Sequence, residues 1–318
     1  MRAIHLLTLF LVGCAGGPAP AAAPDPSPPA RPPSSGSDGR LASMRAVEDA
    51  KKSARANQLD EARDACARAI AADPRNEEAY LLSSSISEMK EDQAGSKAAL
   101  EQGLAQLPQS AALRHAHGMF ALERQEIELA VRELEAARRF AGSREKAEIL
   151  ADLAYAYLFA NRLEDAEKIA KESRTLDSKA YAAAFTHGEA LFRLARFDAA
   201  AEAYRAAAAL APDDPLPRSR LASSLMKSGD FAGAIEPLEA LLKTEKESPA
   251  RLHAALAQAK LELKRGGEAL RHAEEAVRLA PKESAYLELL AKIQESNGDQ
   301  KGAKATRKKL AGRGKAKS

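Results

Sequence analysis

A spacing of 34 residues runs through most of this chain and sharply limits the folds open to it. Pro74 and Pro108 are 34 apart, Pro212 follows three periods later, and Pro281 closes the seventh period. Before each stop comes a set of three residues separated by four and then three positions. The sets read Ala62-Cys66-Ala69, Ser96-Leu100-Gly103, Ala130-Leu134-Ala137, Ala166-Ala170-Ser173, Ala200-Tyr204-Ala207, Ala234-Leu238-Leu241 and Ala269-Ala273-Ala276, with a weaker copy from Ala303. Four-then-three spacing stacks the three side chains on one side of a helix. A second small residue recurs upstream, at Ala50, Ser84, Gly118, Ala154, Gly188, Ala222, Ala257 and Ala291. Glycine or alanine there lets a neighbouring helix come close, while a residue such as Tyr204 fills the remaining space. Turn signals such as Ser228-Gly229-Asp230-Phe231 and Asn297-Gly298-Asp299 fall between the two. The unit is therefore a helix, a turn and a helix. One such unit cannot bury both of its faces, so stability has to come from stacking on neighbours.

The register slips in two places. Two extra residues separate the third and fourth copies near Arg139 to Arg144, and one separates the sixth and seventh near Pro249. Pro237 lies within a second helix just beyond its first turn, which predicts a slight kink rather than a break. The ends should be polar caps. Asp49 and Ser53 stand where later copies have Leu153 and Tyr157, and Arg307 and Lys308 stand where the fifth copy has Tyr204 and Arg205.

This pattern resembles the tetratricopeptide repeat, a helix–turn–helix of 34 residues, although the tryptophan of that family is missing throughout. The resemblance implies an all-α, right-handed solenoid of about eight repeats over 43–310. It also implies that the first helix of each repeat lines a concave groove. Six residues are expected there: Met119, Leu122, Tyr155, Phe159, Phe185 and Phe192. Nine of the fourteen Phe and Tyr residues fall between Phe140 and Tyr204, so the groove would be apolar and aromatic, suited to an amphipathic helix or an extended peptide. Packing of the same rings between copies is an equal alternative, since aromatic stripes at helical spacing are usually core. The two-carboxylate clamp of the family, built from Lys and Asn, is not reproduced: the matching places hold Val47 and Lys51, or His115 and Met119.

The N-terminus carries one cation, Arg2, and then the apolar run AIHLLTLFLV. That is too short for a permanent membrane span and suits the core of a secretory signal. It ends in Leu11-Val12-Gly13-Cys14, which resembles the bacterial lipobox. The resemblance implies cleavage after residue 13, diacylation of Cys14 and a lipid anchor, and Ala15 favours sorting to the outer membrane, facing the periplasm. A tether is expected over 14–42, because Ala15 to Gly39 holds eight of the sixteen prolines among Ala, Gly and Ser and cannot bury a core. Its 25 residues reach roughly 80 Å when fully extended. At the other end, a basic disordered tail is expected over 311–318. Lys301 to Ser318 has eight Lys or Arg and no acid, which suits an anionic membrane face, acidic groups of the cell wall, or a solvated cap and frayed tail.

No chemistry stands out. There is no nucleotide loop, no paired cysteine ligands and no Gly-x-Ser-x-Gly elbow. His115 and His117 point to different sides of a helix, and His187, His253 and His272 are scattered. No metal, cofactor or small-molecule substrate is expected. The 48 basic against 45 acidic residues leave a net charge of +3, which gives no reason to expect nucleic acid. Two cysteines, Cys14 and Cys66, cannot make a disulfide framework. The expected function is thus non-enzymatic. It is a protein-binding scaffold of the bacterial envelope, aiding assembly of a complex such as a pilus or secretion channel, with an adaptor for a cell-wall or proteolytic enzyme as the alternative.

Overall fold

The computed structural model describes residues 36–244 and 249–314, with side chains through 311. The signal, Cys14 and nearly all of the tether lie outside the described residues. Those residues form sixteen α-helices and no strand. They pair as eight copies of the expected unit: α1 (Ser37–Arg55) with α2 (Leu59–Ala72), α3 (Glu77–Met89) with α4 (Gln93–Gln106), α5 (Ala111–Glu123) with α6 (Ile127–Phe140), and α7 (Lys146–Phe159) with α8 (Leu163–Leu176). The remainder are α9 (Tyr181–Arg193) with α10 (Phe197–Leu210), α11 (Pro215–Ser228) with α12 (Phe231–Thr244), α13 (Pro249–Glu262) with α14 (Gly266–Leu279), and α15 (Ser284–Ser296) with α16 (Gln300–Gly314).

The turn inside each copy is set by one residue in the left-handed region: Asn57, Glu91, Gln125, Asn161, Ala195, Gly229, Lys264 and Gly298. Two of the eight are glycine and two are asparagine, which tolerate this region, so the packed helices hold the other four in a conformation that L residues resist. At three turns between copies a side chain caps the first helix that follows. Asn76 accepts from the Ala79 amide at 3.3 Å, Ser110 from Leu113 at 2.9 Å and Asp214 from Leu216 at 2.9 Å, each capping a first helix.

Each copy touches its neighbours in sequence, and successive first helices also meet: α1 with α3, α3 with α5, α5 with α7, α7 with α9, and α13 with α15. Successive second helices make no comparable contact among the described residues. The first helices therefore lie on the crowded, inner side of the stack. The three-residue sets are the framework. Ala62, Cys66, Ala69, Ala200, Tyr204 and Ala207 are all fully buried. A continuous core runs through copies three to five and includes Leu122, Leu134, Leu150, Leu153 and Tyr157.

Glycine serves a close approach at Gly188, where an added Cβ would lie 2.7 Å from two ring carbons of Tyr204. Gly118 does the same against Leu134, also at 2.7 Å. Pro237 does not break its helix: α12 runs on from Phe231 to Thr244. The proline sits beyond the first turn, so its ring costs the ladder one bond, to the Gly233 carbonyl.

Two boundaries move. Helix α1 begins at Ser37, inside the segment expected to be tether, because Asp38 in its first turn favours a helix start after Gly36. Helix α16 continues to Gly314, past the expected end at 310, since no proline stops it. At the ends Asp49, Arg307 and Lys308 are exposed and Ser53 is half-buried.

Candidate functional site

The six residues expected in the groove divide three ways. Leu122 on α5 is buried (8% exposed) in the central core. Phe185 on α9 is also buried (4% exposed), its ring 5.6 Å from that of Tyr204 and 6.0 Å from Tyr181. It belongs to the packing and not to an open groove, because α9 and α10 meet largely through alanines and the two rings supply the missing volume. Met119 on α5 and Tyr155 on α7 are half-buried against the central core. Phe159, the last residue of α7, is open (52% exposed) and meets Tyr155 edge-on at 4.9 Å. Phe192 on α9 is half-buried, edge-on to Phe197 of α10 at 5.4 Å, with the Lys227 ammonium 5.9 Å from its ring. Tyr155 and Phe159 thus form one open aromatic pair, and Phe192 forms a separate knot with Phe197 and Lys227.

The division follows from helix geometry. At 3.6 residues per turn, a side chain's angle from the small residue of its own helix accounts for much of this division, although Phe192, at the same angle as Leu122, is half-buried. Phe185 lies three before Gly188 and Leu122 four after Gly118, about 60° and 40° from the packed stripe, and both are buried. Met119 and Tyr155 follow the small residue by one, about 100° away, and are half-buried. Phe159 follows Ala154 by five, about 140° away, and is open. Met89 stands at the same place five after Ser84 and is 43% exposed. Reading the hydrophobic residues without this angle missed Met89 and admitted Phe185.

The charges on the first helices are mostly tied across copies. Lys51 Nζ lies 2.7 Å from Glu78, His115 Nε2 2.6 Å from Asp152, and Arg220 Nε 2.9 Å from Glu189. The Tyr204 hydroxyl donates to the same Glu189 carboxylate at 2.6 Å. These pairs join α1 to α3, α5 to α7 and α11 to α9, so they secure the stacking rather than present free charge. Burial, and secondarily the neighbouring Glu88 carboxylate, raise the Glu123 carboxyl above its ordinary range. Burial and Glu189 raise the Tyr155 phenol likewise. Among the described residues no three His, Cys, Asp or Glu side chains converge as metal ligands, and no helix is long and apolar enough to cross a membrane. What this face offers chemically is apolar contact: rings on rigid helices, set between ion pairs that are already satisfied.

Comparison with known proteins bears on the fold. Tetratricopeptide repeat family models match residues 191–259, 225–293 and 151–215. No curated protein matches the sequence. Among solved structures, the chain is similar to PilW, described as a widely conserved type IV pilus biogenesis factor: 15% identity, TM-score 0.56, covering 66% of this chain and 97% of that one. It is also similar to a tetratricopeptide repeat protein from Parabacteroides merdae, at 16% identity and TM-score 0.52 over 80% of this chain and 99% of that one. PilF of Pseudomonas aeruginosa matches at 14% identity and TM-score 0.50, over 80% and 99%. At these identities the likeness is one of fold.

Proposed function

We propose that this chain, whose solenoid is built of tetratricopeptide repeats, is a non-enzymatic docking scaffold held in the bacterial envelope by a lipid on Cys14. Its partner is a protein subunit of an envelope complex such as a pilus or secretion channel. The observation that carries the reading is the open pair Tyr155–Phe159, with Phe159 at the end of a first helix and 52% exposed among the described residues. A ring this exposed on a rigid helix is a ready anchor for an amphipathic helix or extended peptide. Met119 on the preceding first helix and Phe192 on the next one extend the apolar surface, while Leu122 and Phe185 lie buried in the packing beneath. The resemblance of Leu11-Val12-Gly13-Cys14 to a lipobox, and the fold shared with PilW, described as a type IV pilus biogenesis factor, support an envelope setting.

Proximity crosslinking from membranes, comparing the native chain with Phe159→Ala, tests the docking face. Recovery of pilus or channel subunits that falls at least tenfold in the variant, with helical content unchanged, is the expected outcome. Recovery of hydrolases or synthases would instead favour an enzyme adaptor, and equal recovery with both chains would remove Phe159 from the site. The anchor is tested separately: Cys14→Ala should move the chain out of the membrane fraction.

A further inference from the structure

The last helix carries a feature that the docking face does not use. Helix α16 packs inward through Ala303, which is fully buried, through Thr306, whose hydroxyl donates to Gln294 at 2.8 Å, and through the half-buried Leu310. At 3.6 residues per turn, Lys301, Lys304 and Lys308 fall within one stripe about 60° wide, on the side away from those three residues. All three are exposed, as is Lys309 beside them. None of the four has an ion pair among the described residues, and no acid occurs from Gln300 to the end of the chain. The remaining cation with a described side chain on the helix, Arg307, is occupied by Glu295 at 2.7 Å. The outward face of the helix is thus a straight row of lysines roughly 10 Å long.

We propose that this face of α16 is an electrostatic docking surface for an anionic phospholipid bilayer. Charge complementarity selects the partner class, and the make-up of the row narrows it. Lysine ammoniums are strongly hydrated point charges that suit a diffuse lattice of headgroups, whereas nucleic acid is read by arginine forks and stacked rings. The only arginine with a described side chain on the helix is taken, and no aromatic residue lies between the lysines. No large apolar residue lies on the stripe, so contact is peripheral and reversible, unlike the insertion of an amphipathic helix. The row adds a second, weak membrane contact at the C-terminal end of the array, and it does not depend on acylation of Cys14.

The test uses the full chain carrying Cys14→Ala, so that no acyl chain contributes. Cosedimentation is measured with vesicles of phosphatidylcholine alone and with 30 mol% phosphatidylglycerol. The neutral vesicles set the baseline for any contribution of the apolar run Met1–Val12. Anionic vesicles should be bound well above that baseline, and the binding should weaken as salt rises. Each lysine near such a surface is worth about fivefold in affinity, so Lys301→Gln, Lys304→Gln and Lys308→Gln together should lower it by about a hundredfold. These are exposed positions, and unchanged helical content confirms that the variant folds. Binding no stronger than to neutral vesicles, or equal binding by the triple variant, overturns the proposal. Tighter binding to duplex DNA than to the anionic vesicles overturns it in favour of nucleic acid.

Discussion

Replacing Gly188 by alanine should destabilise the array, although alanine is the better helix former. A Cβ at this position lies 2.7 Å from two carbons of the Tyr204 ring. That ring has little freedom to move: it is fully buried, its hydroxyl is held by Glu189 at 2.6 Å, and Phe185 lies edge-on at 5.6 Å. Overpacking of this kind costs about 1–3 kcal/mol. Alanine returns about 1 kcal/mol of helix propensity relative to glycine. The expected net is a loss of about 1 kcal/mol. In a Tyr204→Ala background the clash is gone and only propensity remains, so the same substitution should stabilise by about 1 kcal/mol. The effect changes sign, with a coupling of about 2 kcal/mol. Ala154 opposite Ala170 and Ala257 opposite Ala273 are already small pairs at the same places in other copies, so the double variant has precedent in the chain itself. Urea titrations followed by far-ultraviolet circular dichroism on the four chains give the answer. Stabilisation by Gly188→Ala in both backgrounds would refute the close approach of α9 and α10.

Three further outcomes follow from single side chains. His187 accepts from Arg174 at 2.9 Å, and burial together with that guanidinium lowers its imidazole from 6.5 to about 4. The unfolded chain therefore binds this proton first, so stability is complete above pH 6.5 and declines as pH falls toward 4. Melting temperatures over that range should decline less steeply in His187→Gln, and equal slopes would remove His187 as a contributor. Ala195 sits at φ 57°, where a Cβ is disfavoured by about 1–2 kcal/mol. Ala195→Gly should raise the unfolding free energy measured by urea titration by about 0.5–1 kcal/mol after glycine's entropy is counted, and Asn161→Gly should do less because asparagine tolerates this region. Burial pushes the Cys66 thiol up to about 11, so in a Cys14→Ala chain iodoacetamide at pH 8 should label it only after denaturation; rapid native labelling would show that the first copy opens.

The fold was legible because its punctuation is periodic. The left-handed turn residues advance by 34 from Asn57 to Glu91 to Gln125, by 36 to Asn161, and by 35 from Gly229 to Lys264. The two longer steps fall where the sequence carries two extra residues and one. The turn conformation itself was less visible, since four of these positions, Glu91, Gln125, Ala195 and Lys264, hold residues with no preference for it. The docking face was only half legible. Phe185 and Phe159 are both aromatic, both on first helices and both in the same stretch of chain, so composition cannot separate them. What separates them is angle from the small residue, and beyond that whether a ring from the second helix completes the layer, as Tyr204 does for Phe185.

A rule of volume runs through the framework and bears on the proposed site. Where the small residue of the first helix is glycine, its partner is large: Gly118 faces Leu134 and Gly188 faces Tyr204. Where it is alanine, the residue at the matching place in the second helix is often small: Ala50 with Cys66, Ala154 with Ala170, Ala257 with Ala273, all fully buried. Each pair then occupies a similar space, and the interior of a copy is filled by its own residues and those of its neighbours. Copy four fills its interior with Leu150, Leu153 and Tyr157 around the small Ala154–Ala170 pair. Phe159 lies outside that filled layer. Removing its ring would leave no cavity of the kind that makes core truncations cost several kcal/mol, because half of its surface already meets solvent. A large aromatic residue that the packing does not need, held on a rigid helix beside Tyr155, is surplus to stability, and the docking proposal rests on that surplus.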